Sequence, residues 1–388
     1  MLYGELEIVS RTLPGLMSVL KSKTLIEWEE ARPIDLADIF RSYSEPGYLI
    51  QEAYSGLGNN ISDMLKVLNV VGSYCPSLAL MMTMHHHSVA SINIAGDRLL
   101  SKAQLLNNIA DDKLLLSSAF AEAIPGADVL RSSVTCEQIG DYYVINGNKK
   151  PCTMSSVSDL ILVGVKSFTS DNPDHRGVAV VSRHTNGISA EKYWSADILS
   201  ATDSNKIIFD NVRVPSSQVL ICEPEKNDQA ETLACVQKAE ITALTIFQMM
   251  VSASYLGVAT KLAHKCLSMM PSENSDKAKI ISAIASSGML IYYLGDQVCN
   301  SHFSADSYDE LYFSRALAVR KSVQKNISES VGLCLKLLGG NSFVGDEEVR
   351  YLFNVVQCLD FHPPGNDLCD LVVGNVLSSL ITQGGLNG

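Results

Sequence analysis

Apolar residues recur at helical spacing through the first hundred positions, at Leu13, Leu16, Met17 and Leu20 and again at Met64, Leu65, Leu68 and Val71. Side chains three and four residues apart share one face of a helix, so these sets predict amphipathic helices. From about Leu115 to Leu220 the period changes. Short β-rich runs at Leu160 to Val163, Val178 to Val181 and Ile207 to Phe209 are separated by Gly, Asn, Asp and Ser, which predicts strands joined by turns. Asn146-Gly147 follows Tyr142 to Ile145 and predicts a two-residue hairpin turn, because Asn and Gly best tolerate positive φ. After the polar stretch Glu223 to Asp228, helical spacing returns over Glu231 to Met270, Lys277 to Cys299, Ser307 to Leu338 and Asp346 to Leu359, with a break at Ser272 to Asp276. The order predicts an α+β chain in three parts: an N-terminal helical domain over 1–112, a middle β domain over 113–228 and a C-terminal helical bundle over 229–388.

Composition narrows the function classes. At 388 residues and 46% hydrophobic content, the chain supports two or three well-buried units. The 42 acidic and 30 basic residues give a net charge of −12, with Lys and Arg scattered, which argues against a nucleic-acid partner. Met1 to Glu7 lacks the basic and apolar regions of a secretory signal, and no apolar run reads as membrane-spanning, so a soluble cytoplasmic protein is expected. The ten cysteines form no metal-spaced Cys-x-x-Cys pair. Free buried thiols are expected, for instance at Cys75, Cys235, Cys266, Cys334 and Cys358, and no metal site.

Three segments carry a family resemblance. Phe120-Ala121-Glu122 through Asp128, and Lys150 to Thr153, match without a gap the two flavin-contacting segments of the acyl-CoA dehydrogenase superfamily; Leu338-Gly339-Gly340 matches its paired glycines. The chain resembles that superfamily over most of its length. The resemblance implies an N-terminal helical domain, a β-barrel-like middle domain and a C-terminal four-helix bundle. It also implies FAD, held by Phe120, Ala121, Cys152, Thr153, Gly339 and Gly340, in a homodimer or homotetramer. Thr153 would present its hydroxyl and amide to the flavin. On residue type alone the stronger reading is that it closes a strand end; the matching register favours the flavin contact.

Departures from the pattern bear on chemistry. Pro151 stands where the family has an aromatic residue near the flavin, and Ala121 and Ala127 replace hydroxyl residues. The usual Arg and Phe after the first long bundle helix fall in Pro271 to Asp276, which holds no basic residue, while Lys336 offers a charge for a pyrophosphate. The family's catalytic Glu aligns with Pro364, within His362-Pro363-Pro364-Gly365-Asn366-Asp367, and its alternative site on the bundle reads Ile246-Phe247-Gln248-Met249. Pro cannot accept a proton. The candidates to replace it are His362, with Asp360 or Asp367 orienting it or acting directly, and one histidine of His85-His86-His87, taken as His86. A His beside Pro-Pro also serves as a helix cap, and three consecutive helical histidines point in different directions and cannot share one metal.

The residues accommodate three functions. The first is a flavin-dependent dehydrogenase or oxidase acting on an acyl thioester, with CoA or an acyl carrier protein presenting the substrate and a relocated base. The second resembles the monooxygenase branch of the same fold, with reduced FMN delivered by a flavin reductase and His near the flavin. The third is a cofactor-free binding or assembly protein that kept the fold.

Overall fold

A computed structural model describes residues 3–95, 99–122, 132–169, 172–221, 229–270, 275–300 and 310–383. Seven α-helices come first: α1 (Tyr3–Thr12), α2 (Leu16–Leu20), α3 (Leu25–Glu29), α4 (Pro33–Ile39), α5 (Ile61–Tyr74), α6 (Pro76–Ala95) and α7 (Lys102–Asp111). Local chemistry starts several of them. Thr24 and Glu27 form a reciprocal capping box on α3, Asn60 accepts from the Asp63 N–H on α5, and Pro33 opens α4. Helix α6 is apolar nearly all round and is buried along almost its whole length, as such helices must be. It packs against α5, the first long bundle helix and the first strand.

Eight strands follow: β1 (Leu116–Ala119), β2 (Thr135–Ile139), β3 (Tyr142–Cys152), β4 (Leu160–Thr169), β5 (Asn172–Ser182), β6 (Ile188–Glu191), β7 (Asn205–Pro215) and β8 (Val219–Ile221). They form one mixed sheet in the order β6-β7-β3-β2-β4-β5-β8, with β1 parallel to β4. Its inner face buries Ile145, Cys152, Ile161, Val163, Ile207 and Phe209.

The structure corrects the expected turn. Asn146-Gly147 lies inside β3, and the hairpin between β2 and β3 turns at Gly140-Asp141, where Ile139 pairs with Tyr142. Gly140 has φ 61°, the positive value that type II′ turns ask of their first central residue. The pairing of β3 with β7 shifts between Ile145 and Gly147: Asn146 alone faces Asp210 and Asn211, so the β-bulge is on β7, where Asn211 takes φ 51°. Gly147 takes φ 132°, and a Cβ there would stand 3.0 Å from Val134 Cα. Asn146 Oδ1 meanwhile accepts from the Asn211 N–H across the bulge at 2.8 Å. The same tolerance of positive φ serves a bulge as well as a turn.

The C-terminal helices are α8 (Gln229–Met269), α9 (Asp276–Asn300), α10 (Glu310–Gly345), α11 (Glu347–Gln357) and α12 (Asn366–Gln383). Helix α10 runs beyond its expected end at Leu338 through a kink at Gly339 (φ 78°, ψ 171°), and α12 lies past the last expected helix. By length and composition two helices do reach membrane-spanning size, Glu240–Met269 and Asp276–Cys299, contrary to the reading of the sequence. In the first, 89% of the apolar window is buried within the protein, as in a core helix.

Candidate functional site

The three consecutive histidines of α6 have three different environments. The Leu116 N–H donates to His85 Nδ1 at 3.0 Å, so the ring proton sits on Nε2, which donates to the Pro46 carbonyl at 2.9 Å. His85 is therefore a neutral pin between α6, β1 and the loop before α5, and burial pushes its pKa down to about 4. His86 packs among the rings of Phe40, Tyr48 and His85, and neither of its nitrogens has a partner among the described residues. Burial and the neighbouring His85 hold its pKa far below the usual histidine value. His87 turns the other way: its Nε2 lies 3.0 Å from Ser118 Oγ, and its ring stands edge-on to Phe247 with centroids 5.1 Å apart. Burial lowers its pKa to about 3, and its Nδ1 has no partner among the described residues.

Phe247 continues the row. Its ring lies 5.9 Å from that of His362, whose Nε2 is 2.9 Å from the Tyr255 hydroxyl. Desolvation, and secondarily the Arg320 cation, lower the His362 pKa to about 3; burial pushes that of Tyr255 well up, so both are neutral near pH 7. Arg320 on α10 is fully buried and organises the loop that carries His362. Its guanidinium donates to Gln248 Oε1 (2.8 Å) and to the carbonyls of His362 (2.6 Å), Leu359 (3.3 Å) and Pro364 (3.3 Å). Gln248 Nε2 in turn donates to the Pro363 carbonyl at 3.0 Å. The bundle turn that the family resemblance marks as an alternative place for a catalytic Glu thus holds an amide, Gln248, that braces this loop. Of the acidic candidates, Asp360 has one buried carboxylate oxygen without a partner among the described residues, and Asp367 is exposed in the first turn of α12.

The flavin-matched segments meet at the start of the sheet. The Lys150 N–H donates to the Ala121 carbonyl at 3.0 Å, which joins the two segments directly. Phe120 packs over Gly164, where a Cβ would meet its ring at 3.0 Å. Beneath them the buried Lys149 ammonium pairs with Glu122 and donates to the Phe120 carbonyl. Cys152 is turned into the sheet core, where burial pushes its thiol up to about 12; it faces that core instead of an open slot. Thr153 is 8% exposed; its carbonyl accepts from Ser117 Oγ (2.6 Å) and its hydroxyl meets Ser204 Oγ (3.0 Å). Consecutive serines of β1 therefore tie Thr153 and His87 to one strand. Lys336 and Gly340 are exposed on α10 on either side of its kink at Gly339. Ala127, Asp128 and Pro271 to Asn274 lie outside the described residues.

Of the candidates named from the sequence, His362 and Thr153 lie in these networks; His86 was taken from the histidine triplet in place of His87, and Tyr255 and Arg320 were not named. Arg320 had one signal, a cation within the apolar helical run Ala316-Leu317-Ala318-Val319. The residues fit the ring portion of a flavin: a fixed Thr153 hydroxyl, neutral histidines and the apolar edge of Phe247 form the weakly polar surroundings such a ring needs. At the phosphate portion, the described candidate is Lys336.

No family model matches the chain. It is similar to isobutylamine N-hydroxylase from Streptomyces viridifaciens, with 27% identity over 359 residues covering 92% of each chain. It also shares 27% identity over 197 residues with cyclohex-1-ene-1-carbonyl-CoA dehydrogenase from Syntrophus aciditrophicus (strain SB), covering 50% of this chain and 47% of that one. In structure it is similar to the dibenzothiophene monooxygenase TdsC from Paenibacillus sp. A11-2, in complex with FMN and indole, with a TM-score of 0.82, 16% identity and 98% coverage of both chains. The chain has the acyl-CoA dehydrogenase-like fold, and its relatives are flavin-dependent oxidoreductases, the class in which it stands.

Proposed function

We propose that this protein is a monooxygenase that uses reduced FMN from a separate flavin reductase to hydroxylate the nitrogen of a small amine. The observation that carries the reading is the row His87–Phe247–His362, in which both histidines are held neutral and Pro364 stands where a catalytic Glu would be. A group with a pKa of about 3 is a poor base for an α-proton at neutral pH. It is well suited to oxygen transfer, which calls for an uncharged amine whose nitrogen lone pair is free. Arg320 adds a buried positive charge that opposes an ammonium ion, and the N-hydroxylase similarity across 92% of both chains points the same way.

The flavin supplies two electrons and the site of oxygen activation when bound. One oxygen atom of O2 goes to the amine nitrogen and the other leaves as water. Thr153, Phe120 and Ala121 would hold the ring, with Lys336, Gly339 and Gly340 toward the phosphate. His362 would be a positioned hydrogen-bond donor: with the Tyr255 O–H donated to Nε2, the proton of the neutral ring lies on Nδ1, for the reacting groups. His87 would fill the same role on the α6 side.

Oxygen uptake by the purified protein with FMN, a flavin reductase and a panel of small primary amines tests this reading, with a hydroxylamine product expected by mass spectrometry. A second reading, dehydrogenation of an acyl thioester, is favoured by the similarity to the cyclohexene-carbonyl-CoA enzyme. Anaerobic bleaching of the bound flavin by an acyl-CoA or carrier-protein thioester, with no amine-dependent oxygen uptake, would select it. The exposed row Ile281, Met289, Leu290 and Tyr293 on α9 supports association into a homodimer or homotetramer. Light scattering on the eluting protein measures that state.

A further inference from the structure

One buried carboxylate, outside the site, joins the elements that carry His87, Thr153 and His362. Glu29, the last residue of α3, is 3% exposed and has four hydrogen-bond donors around it. Its Oε1 accepts from the Ser77 N–H at 2.8 Å and the Cys75 thiol at 3.5 Å; its Oε2 accepts from Ser77 Oγ at 2.5 Å and from the Tyr351 hydroxyl. The polarity is fixed from the outer end. The Leu199 N–H can only donate, and it does so to the Tyr351 oxygen at 2.9 Å, which leaves the Tyr351 proton for Glu29. Burial pushes the Glu29 pKa up, and the bonds from Ser77, Tyr351 and Cys75 pull it back down.

Each partner starts a path to the site. Ser77 lies in the first turn of α6, and His87 follows on the same helix about 15 Å further along. Tyr351 is on α11, from whose end the chain runs through the turn Cys358–Phe361 directly to His362. Leu199 precedes the turn Ser200–Thr202, and the carbonyls of Thr202 and Asp203 accept from the N–H groups of Met154 (2.9 Å) and Ser155 (3.0 Å), next to Thr153. Leu199, Asp203 and Met154 all take left-handed φ values, 56°, 53° and 60°. Residues with a Cβ hold that conformation only where their surroundings enforce it, and at Leu199 the Tyr351 hydroxyl does so.

From this we infer that Glu29, acting through Tyr351, is a positioning residue: it fixes the Thr153 segment and the His362 loop relative to each other and so keeps oxygen directed to the amine. The inference rests on the function proposed above. In productive turnover one atom of O2 goes to the amine nitrogen and the other leaves as water, with two electrons and two protons from reduced flavin. In unproductive turnover the same two electrons and two protons go to O2, which leaves as hydrogen peroxide. Misplacing the two segments relative to each other shifts the division toward peroxide, because oxygen transfer depends on alignment and peroxide release does not. A carboxylate with a purely structural role would lower stability and leave that division unchanged.

The test compares the full-length wild type with Tyr351→Phe, which removes one hydroxyl, and Glu29→Gln, whose amide hydrogens face two donors whichever way it turns. In the flavin-free protein, amide hydrogen exchange in Tyr351→Phe should quicken about tenfold at Leu199, which loses its acceptor. It should also quicken about threefold or more at Met154, Ser155 and His362, whose N–H groups are hydrogen-bonded in the wild type. With reduced FMN, O2 and a small primary amine, the ratio of hydrogen peroxide to hydroxylamine should rise about threefold or more in both variants. Ser62→Ala, which deletes the Ser62–Asp296 bond between α5 and α9, controls for general destabilisation and should leave both readouts at the wild-type level. Circular dichroism checks folding, and Tyr351→Phe carries the test if Glu29→Gln does not fold. Faster exchange confined to Leu199, or an equal rise in peroxide for Ser62→Ala, would overturn the inference and leave the proposed function standing. Absence of hydroxylamine from the wild type would overturn the proposed function and this role within it.

Discussion

The Tyr255 hydroxyl lies 2.9 Å from Nε2 of His362, linking the middle of α8 to the loop that precedes α12. Tyr255 is 1% exposed, burial keeps its proton in place, and Nε2 of His362 is the one hydrogen-bond partner of its hydroxyl among the described residues, so the O–H is directed at that nitrogen. It sets which nitrogen of His362 carries the ring proton. The Tyr255→Phe variant should therefore fold and bind flavin like wild type but lose about tenfold in kcat, the effect of one lost hydrogen bond of about 1.4 kcal/mol that positions the ring. Steady-state kinetics beside a flavin titration separates the two quantities. Histidine nitrogen chemical shifts should report a mixture of tautomers in the variant.

Arg320 is a buried cation whose hydrogen bonds go to one amide and three main-chain carbonyls. Arg320→Met would leave those four acceptors without their donor and should cost about 3 kcal/mol or more of stability, read as a lower urea midpoint. Since the Arg320 charge also depresses the His362 pKa, that pKa should rise in the variant.

Buried neutral histidines give stability a defined pH dependence. His85 titrates near 4 and His87 near 3 in the folded protein, against about 6.5 in an unfolded chain. Between those limits the unfolded state binds more protons, so stability rises with pH up to about 6.5 and is lost as pH falls toward 4. Each histidine contributes at most about 1.4 kcal/mol per pH unit in this window. Urea unfolding at pH 7.5, 6 and 5 should show falling stability, and His87→Gln should flatten the slope.

Gly147, on β3 opposite the bulge of β7, is a position that does not tolerate a side chain. Gly147→Ala meets both a left-handed φ of 132° and the Val134 backbone at 3.0 Å, and should destabilise by about 2 kcal/mol. The corresponding change at Gly140, where a Cβ would meet nothing within 4 Å, retains only the penalty of positive φ and should cost less. Parallel denaturation of the two variants distinguishes bulge from turn.

Much of the architecture was legible because periodicity records burial: the switch from period 3.6 to β runs near Leu115 and back after Asp228 matches the observed elements. Strand β3 was misread because Asn146-Gly147 interrupts a run that continues to Cys152; it faces a bulge in the partner β7, which is distant in sequence. The site was less legible. Adjacent His86 and His87 have the same residue type and similar neighbours in sequence, yet one meets Phe40 and Tyr48 while the other meets Phe247 and Ser118. Arg320 lies 42 residues from the His362 carbonyl it holds. Neither relation leaves a local trace.

Under the proposed function, oxygen and no α-proton is what this site handles. Its most direct test is incubation of the full chain with a small primary amine, FMN and a flavin reductase under 18O2. The predicted product is a hydroxylamine carrying one 18O atom, with oxygen uptake dependent on the amine. No label in any product, together with anaerobic bleaching of the bound flavin by an acyl thioester, would contradict it.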